Sequence, residues 1–410
     1  MRPGACYRLV HESFFKACAV HSTPEIHRVS LEGLALQVLS MNLDVYAFSS
    51  TLLDAPRVPT LRRSLRGLKD MGATVGADDA PQLSALGGHL ACLPCAARLG
   101  KLLVLGAALG VRSEALSVAA GLSVRSPWRS GEGDRDAADT FKTILRQDHQ
   151  CGRSDHALVA LAFDAFAARA ADAPRGVWQR KRAMQPWCAD RGLSYDPLNE
   201  MDLLRKQFDD ALRDRGFLPS RARARVGGKP LVGAALWRVA RALVGAALYP
   251  QVLKIEKPTQ KYAESADGAV AKDAAARELR FVRRTDDGYE RVFLHPASVC
   301  FKERSWPSPW AVYNECVETH KTYVRDCSEA APYSLLLFGG NLEPKPLESL
   351  ILVDGWIRFH ANARVAALVA ALRHRVDALL EAKAQDPTID LEAAPVVKAI
   401  LRLLLHDGLA

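Results

Sequence analysis

The sequence predicts an α+β multidomain chain: a winged helix, then a helical bundle, then a small β-barrel with C-terminal helices. Three observations carry this reading. Residues 24–97 join an apolar helical stripe to a short, turn-rich segment. Residues 98–250 keep apolar positions at helical spacing, and residues 278–345 switch to β-branched and aromatic runs divided by turn signals. The 410 residues suffice for about three domains of ordinary size. A hydrophobic share of 49% with 25% charged residues is the balance of a soluble globular chain.

In the first domain Pro59 stands near the start of a helix that carries Leu61, Leu65, Leu68 and Met71, with Gly72 as its stop. Thr74 to Leu83 holds Gly76, Asp78, Asp79 and Pro81, which suits a turn between two short strands. Ser84 is placed to cap the next helix. Helix, wing and helix together give the winged-helix outline.

In the bundle, Leu99 to Leu109 is apolar nearly all round and predicts a helix buried on most sides. Ser113 with Glu114 is expected to cap a second helix, and Ser154 with Asp155 a third, whose stripe is Leu158, Leu161, Ala165 and Phe166. The clearest helix runs from Asp196, as N-cap, through Pro197 to Gly216, with Met201, Leu204, Phe208 and Leu212 on one face. The polar stretches 128–152 and 171–186 read as loops. Arg221, Arg223, Arg225 and Lys229 around Gly227-Gly228 form a basic run, either a solvated loop or a phosphate-facing strip.

Residues 251–277 read as a linker. Phe281, Val282, Val292 and Leu294 flank Asp287-Gly288, a hairpin signal. Trp310 to Thr319 and Tyr323 to Cys327 add strands, which suggests a small barrel over 278–345. The remainder, 346–410, is expected to hold a strand from Val353 to Phe359, an amphipathic helix from Asn362 to Lys383 ended by Pro387, and a last helix from Pro395 to Leu405.

The net charge of +9 favours an anionic partner, with nucleic acid the first candidate; a merely basic surface is the alternative. Nine scattered cysteines point to reduced thiols, hence a cytoplasmic or nuclear compartment. Cys92 and Cys95 with His89 lack a fourth ligand for zinc and read as two small buried residues at a helix end. Met1 is followed by Arg-Pro-Gly and not by a signal peptide's apolar run, and the longest apolar stretch, Leu102 to Val111, is too short to span a bilayer, so no membrane partner is expected.

Several motifs then agree in order and spacing. Arg2, Pro3, Gly4, Cys6, Tyr7, Arg8 and Leu9 are similar to the end of the arginine-finger motif of DEAH-box RNA helicases. Leu83 to Pro94, continuing to Lys101-Leu102-Leu103, resembles the family's Leu-Thr-x-Leu-Gly…Pro…Lys-x-Leu stretch, with Ser84 where Thr is usual. Leu122 to Trp128, Ser154-Asp155-His156, Trp187-Cys188, Arg205-x-Gln207-Phe208, Leu294 to Val299, Tyr313-Asn314-Glu315 and Val324 to Cys327 resemble further family stretches. Leu335 to Gly339 and Val353 to Ile357 resemble the longer-tailed DExH, RNA helicase A-like subgroup. Arg191-Gly192 departs from the family's Asn-Phe.

The resemblance implies the accessory half of such an enzyme. Residues 1–23 would be a remnant of the second RecA-like domain, 98–250 a ratchet-like bundle and 278–345 an OB-fold-like barrel. Single-stranded RNA would be the ligand, the missing RecA-like motor domains a partner, and a protein activator a further partner at the winged helix and barrel. The chain has no Gly-x-x-x-x-Gly-Lys-Ser/Thr and no Asp-Glu-x-His. No cofactor is therefore expected here, ATP and Mg²⁺ belonging to a full-length parent, and no ATP hydrolysis by these 410 residues alone.

No catalytic or metal-binding residue is singled out. The RNA-binding candidates are Ser154, Asp155 and His156 at a helix start, Arg205 in the bundle, and His295, Ser298, Lys302, Tyr323 and Arg325 in the barrel. Cations and hydroxyls hold phosphates and aromatic rings stack on unpaired bases; for each residue a structural role is the alternative. A stand-alone RNA-binding scaffold is the second reading. A winged-helix DNA-binding protein, suggested by Arg62, Arg63, Arg66 and Lys69 on one helix, is the third.

Overall fold

The computed structural model describes residues 4–5, 7–19, 21–174, 176–218, 224–257, 279–285 and 288–406, with the backbone alone of 262–265 and 268–271. Arg2, Pro3 and Cys6 of the N-terminal motif, Arg221 and Arg223 of the basic run, and Asp287 of the expected turn lie outside the described residues. The N-terminal segment carries one short helix, α1 (Glu12–Ala17), with no buried residue.

The first domain holds α2 (Glu32–Ser40), α3 (Val45–Ser50), α4 (Val58–Asp70), the antiparallel hairpin β1 (Thr74–Ala77) and β2 (Ala80–Leu83), and α5 (Ala85–Cys92). α4 buries Leu61, Leu65 and Leu68, the stripe expected from the sequence, and Gly72 ends it at a φ of 78°. The Ser84 hydroxyl accepts from the Gly87 amide at 2.9 Å and starts α5. A Cβ on Gly87 would fall 1.9 Å from the Ala73 carbonyl oxygen, so α5 meets the hairpin base only with glycine there.

The bundle comprises α6 (Ala97–Ala108), α7 (Arg112–Ser123), α8 (Asp134–His149), α9 (Asp155–Ala170), α10 (Val177–Ala189), α11 (Tyr195–Asp214), the short hairpin β3 (Arg225–Val226) and β4 (Lys229–Pro230), and α12 (Gly233–Leu248). α12 is buried along nearly its whole length and packs on α6, α7, α8 and α9. Two stretches that read as loops are helices. α8 buries only Ala138, Lys142 and Leu145, and α10 only Met184 and Cys188, so neither shows a full apolar stripe. Two caps also differ. Ser113 lies inside the first turn of α7, because Val111 is its N-cap, and Ser194, not Asp196, precedes α11.

The barrel is closed in the order β10-β11-β9-β8-β5. Its strands are β5 (Val252–Glu256), β8 (Arg280–Thr285), β9 (Gly288–Leu294), β10 (Trp310–Glu318) and β11 (Thr322–Glu329). A separate hairpin, β6 (Tyr262–Ser265) with β7 (Gly268–Ala271), lies between β5 and β8 in the chain. The span that read as a linker thus opens with a barrel strand. Val252, Leu253 and Ile255 are buried, but Lys254, Glu256 and Lys257 break the signal to the eye. At the other end the barrel stops at β11. α13 (Pro332–Phe338) follows, and β12 (Leu342–Lys345) pairs with β13 (Leu350–Val353) and β14 (Ile357–His360) in a three-stranded sheet. The single strand expected from Val353 to Phe359 is split by a turn at Asp354 and Gly355, whose φ values are 48° and 71°.

α14 (Ala363–Gln385), capped by Asn362, and α15 (Pro395–His406) follow as the sequence predicts. α14 returns to the first domain, where His89 Nε2 lies 2.7 Å from the Ala384 carbonyl oxygen. Burial pushes the His89 pKa down. Cys92 is exposed and Cys95 half-buried, so the expectation of two buried thiols fails for Cys92. One apolar core runs through the first domain, the bundle and the C-terminal elements. A second, of Leu253, Ile255, Val292, Leu294, Trp306, Val324 and their neighbours, fills the barrel. Among the described residues no single helix is long and apolar enough to cross a membrane.

Candidate nucleic-acid interface

Alternation along β9 and β11 builds one face of the barrel. Val292, Leu294 and Val324 point into its core, which turns Arg291, Phe293, Tyr323 and Arg325 outward. The two strands run parallel, with Tyr323 opposite Phe293. Their rings lie 6.1 Å apart, and His295 and His320 stand 6.3 and 6.0 Å from Tyr323. Arg291 and Lys321 sit over the Phe293 ring at 4.9 and 4.7 Å. Burial, then the neighbouring Arg325 charge, lowers the His295 pKa, so the ring is held neutral more firmly than a free imidazole. Arg325 is half-exposed and 4.0 Å from Glu315. Aromatic faces ringed by cations suit unpaired bases and their phosphates.

Ser154, Asp155, His156 and Ser298 lie elsewhere, in the joint between bundle and barrel. Ser154 caps α9 as expected, accepting from the Ala157 amide at 3.0 Å. Its hydroxyl and His156 Nδ1 both meet the Ser328 hydroxyl of β11, at 2.6 and 2.5 Å. Asp155 accepts from the Ser298 hydroxyl at 2.5 Å and from the amides of Val299 and Cys327 at 2.8 and 3.0 Å. Burial raises the Asp155 pKa, while those three donors and Lys142 pull it back. Burial pushes His156 down to about 3. With exposures of 0% for Ser154 and 1% for His156, these side chains offer no surface to a strand. The sequence reading of them as RNA contacts gives way to a structural role: buried polar groups must find partners, and here the partners are in the next domain.

Around this joint, Glu303 accepts from Arg146 at 2.5 Å and Arg153 at 3.0 Å, and Glu329 lies 3.6 Å from both Arg153 and Arg241. Lys142 donates to the Ala297 carbonyl at 3.0 Å. Lys302 is exposed but paired with Asp139 of α8 at 2.9 Å, which sets it on the seam and not on the aromatic face. Arg205 is half-buried on α11. It donates to the Ser113 hydroxyl at 2.6 Å and lies over Phe163, bracing three helices. The structure thus groups His295, Tyr323 and Arg325 and separates the other six candidates from them. Reasoning from motifs missed Arg291, Phe293, His320 and Lys321. The period-two series Arg291, Phe293, His295 was the available signal.

Comparison with known proteins matches this architecture. The family described as a helicase associated domain (HA2), ratchet-like, matches residues 96–183. An oligonucleotide/oligosaccharide-binding (OB)-fold family matches 240–342, and a family described as the C-terminal domain in RNA helicases matches 349–406. Residues 96–406 therefore carry the C-terminal accessory domains of DExH/DEAH RNA helicases. It is 32% identical over 98% of its length to the putative ATP-dependent RNA helicase DHX57 of Homo sapiens, covering 30% of that protein. It is 30% identical over 98% of its length to the DExH-box ATP-dependent RNA helicase DExH1 of Arabidopsis thaliana, and 31% over 94% to the ATP-dependent DNA/RNA helicase DHX36 of Homo sapiens. It spans 37% and 36% of those two proteins, so about a third of such a relative is represented.

Proposed function

We propose that this chain guides single-stranded RNA for an ATP-driven motor made of RecA-like domains. The observation that carries the proposal is the outer face of β9 and β11, where Phe293, Tyr323, His295 and His320 lie among Arg291, Lys321 and Arg325. Rings accept bases of any sequence and cations neutralise successive phosphates, which is what a guide for a moving strand requires. ATP and Mg²⁺ belong to the motor in this reading, because the 410 residues hold no phosphate-cradling loop of the P-loop type. We read the first domain as a winged helix and assign protein activators to it and to the barrel. A reducing, cytoplasmic or nuclear setting fits the eight described cysteines, all free thiols.

The test is the affinity of the chain for a fluorescent single-stranded RNA, with Phe293→Ala and Tyr323→Ala combined. Loss of two stacking partners is expected to weaken binding by about tenfold or more. Unchanged affinity in a folded double variant removes this face from the footprint.

A further inference from the structure

We propose that the exposed face of α4 is a second nucleic-acid contact, which takes the paired phosphate backbones of a duplex and not an unpaired strand. This goes beyond the guide role of the barrel and uses none of its residues. α4 turns Leu61, Leu65 and Leu68 into the first domain and leaves Arg62, Arg63, Arg66 and Lys69 exposed. Arg57, also exposed, precedes the helix. From Arg57 to Asp70 the chain carries five cations and one acid, Asp70. Arg62 and Arg66 are one turn apart on one side of the rod, with Lys69 following, so their charges line up along the helix axis. Beside them the hairpin contributes Val75, Gly76 and Ala77, all exposed, and forms a groove with Arg62, Arg66 and Lys69.

The chemistry of this stripe differs from that of the barrel. α4 contains no aromatic residue, and its exposed side chains are long cations. With no aromatic platform, the stripe draws a nucleic acid chiefly through its phosphates, and a duplex, with one negative charge per about 1.7 Å of axis, presents them more densely than a single strand while keeping its bases stacked inside. The acids are placed so as to aim the contact. Lys69 is held by Asp78 of the hairpin tip at 2.6 Å, which lowers the Asp78 pKa, and Asp79 beside it is exposed. Tyr46 braces the same tip by donating to the Asp78 carbonyl at 2.9 Å. An acidic tip repels phosphate, so the backbone contact falls on Arg62 and Arg66. Binding through phosphates alone predicts little preference between duplex RNA and duplex DNA.

The experiment titrates the full chain with a blunt 20-base-pair RNA duplex, the same duplex as DNA, and one RNA strand alone, across a range of potassium chloride concentrations. Arg62→Gln with Arg66→Gln, both on the surface, is expected to weaken both duplexes by about tenfold and to make the slope of log affinity against log salt shallower by about two. Single-strand affinity stays within twofold. Arg62→Lys with Arg66→Lys, which keeps the charges, retains the wild-type slope. The proposal is overturned if the wild-type chain does not bind duplex, if the Gln pair leaves duplex affinity and slope unchanged, or if single-strand binding falls equally. It is also overturned if the Lys pair loses binding as the Gln pair does. Loss of single-strand binding in the Phe293 and Tyr323 variant bears on the barrel alone, so the two readings fail separately.

Discussion

Within the single strand β11 two regions of the molecule meet, and they treat polar residues in opposite ways. At one end Tyr323 and Arg325 look outward beside Phe293 and His295. At the other, Ser328 is fully buried against Ser154 and His156, and the Cys327 amide is taken by Asp155. The outer face keeps its polar and aromatic groups in solvent, available to a ligand. In the joint Ser154, Asp155, Ser298 and Ser328 are taken up by internal hydrogen bonds, which fix the barrel on the start of α9. The pair teaches that residues alike in chemistry and close in sequence divide by burial into groups left open to solvent and groups taken up by the fold.

The largest effect expected of any substitution in this comparison is at Asp155. Asp155→Ala leaves the Ser298 hydroxyl and the amides of Val299 and Cys327 buried without their acceptor. A loss of about 3 kcal/mol or more of stability follows, read as a lowered thermal midpoint, and RNA affinity of the folded fraction stays unchanged. If RNA affinity drops while the midpoint holds, the division between joint and face is wrong. A smaller loss, about 1 kcal/mol, is expected for Glu303→Gln, because its arginines Arg146 and Arg153 are 29% and 20% exposed and partly screened. Chemical denaturation measures it, and no change in midpoint would remove Glu303 from the joint.

The joint also predicts a pH effect. The folded state holds His156 near a pKa of about 3 against an ordinary 6.5. Between those values the unfolded chain binds the extra proton, so the contribution of the neutral ring is whole above 6.5 and declines as pH falls below it. Melting curves between pH 7 and 5 should fall more steeply for the wild type than for His156→Gln; parallel curves contradict this. The smallest effect separates two cations that the sequence puts on equal terms. Arg325→Ala should make the salt dependence of RNA binding shallower by about one, while Lys302→Ala, already paired with Asp139, should change it less. Equal changes would place the seam inside the footprint.

Much of the architecture is legible in the sequence where the periodicity is strong. The α4 stripe, the Asn362-capped helix and the strands around Trp310 and Tyr323 all stand where the pattern puts them. The missed elements α8 and β5 share one cause. α8 buries an aliphatic lysine stem among few apolar side chains, and β5 alternates buried residues with charged ones, so neither carries a plain apolar signal. The site was half legible. His295, Tyr323 and Arg325 could be named from their residue types, but Phe293 reads as one more core aromatic until the register places it outside. The fate of Asp155 was not legible at all, because its partners Ser298 and Cys327 lie 143 and 172 residues away.

Cross-linking reads directly which surface of the chain a single strand touches. The full chain is bound to a single-stranded RNA carrying photoreactive 4-thiouridine, irradiated, and digested for mass spectrometry. Adducts are expected on peptides containing Phe293 and Tyr323 and none on Ser154, Asp155 or His156. Adducts on the α9 start, with β9 and β11 unmodified, would contradict this expectation.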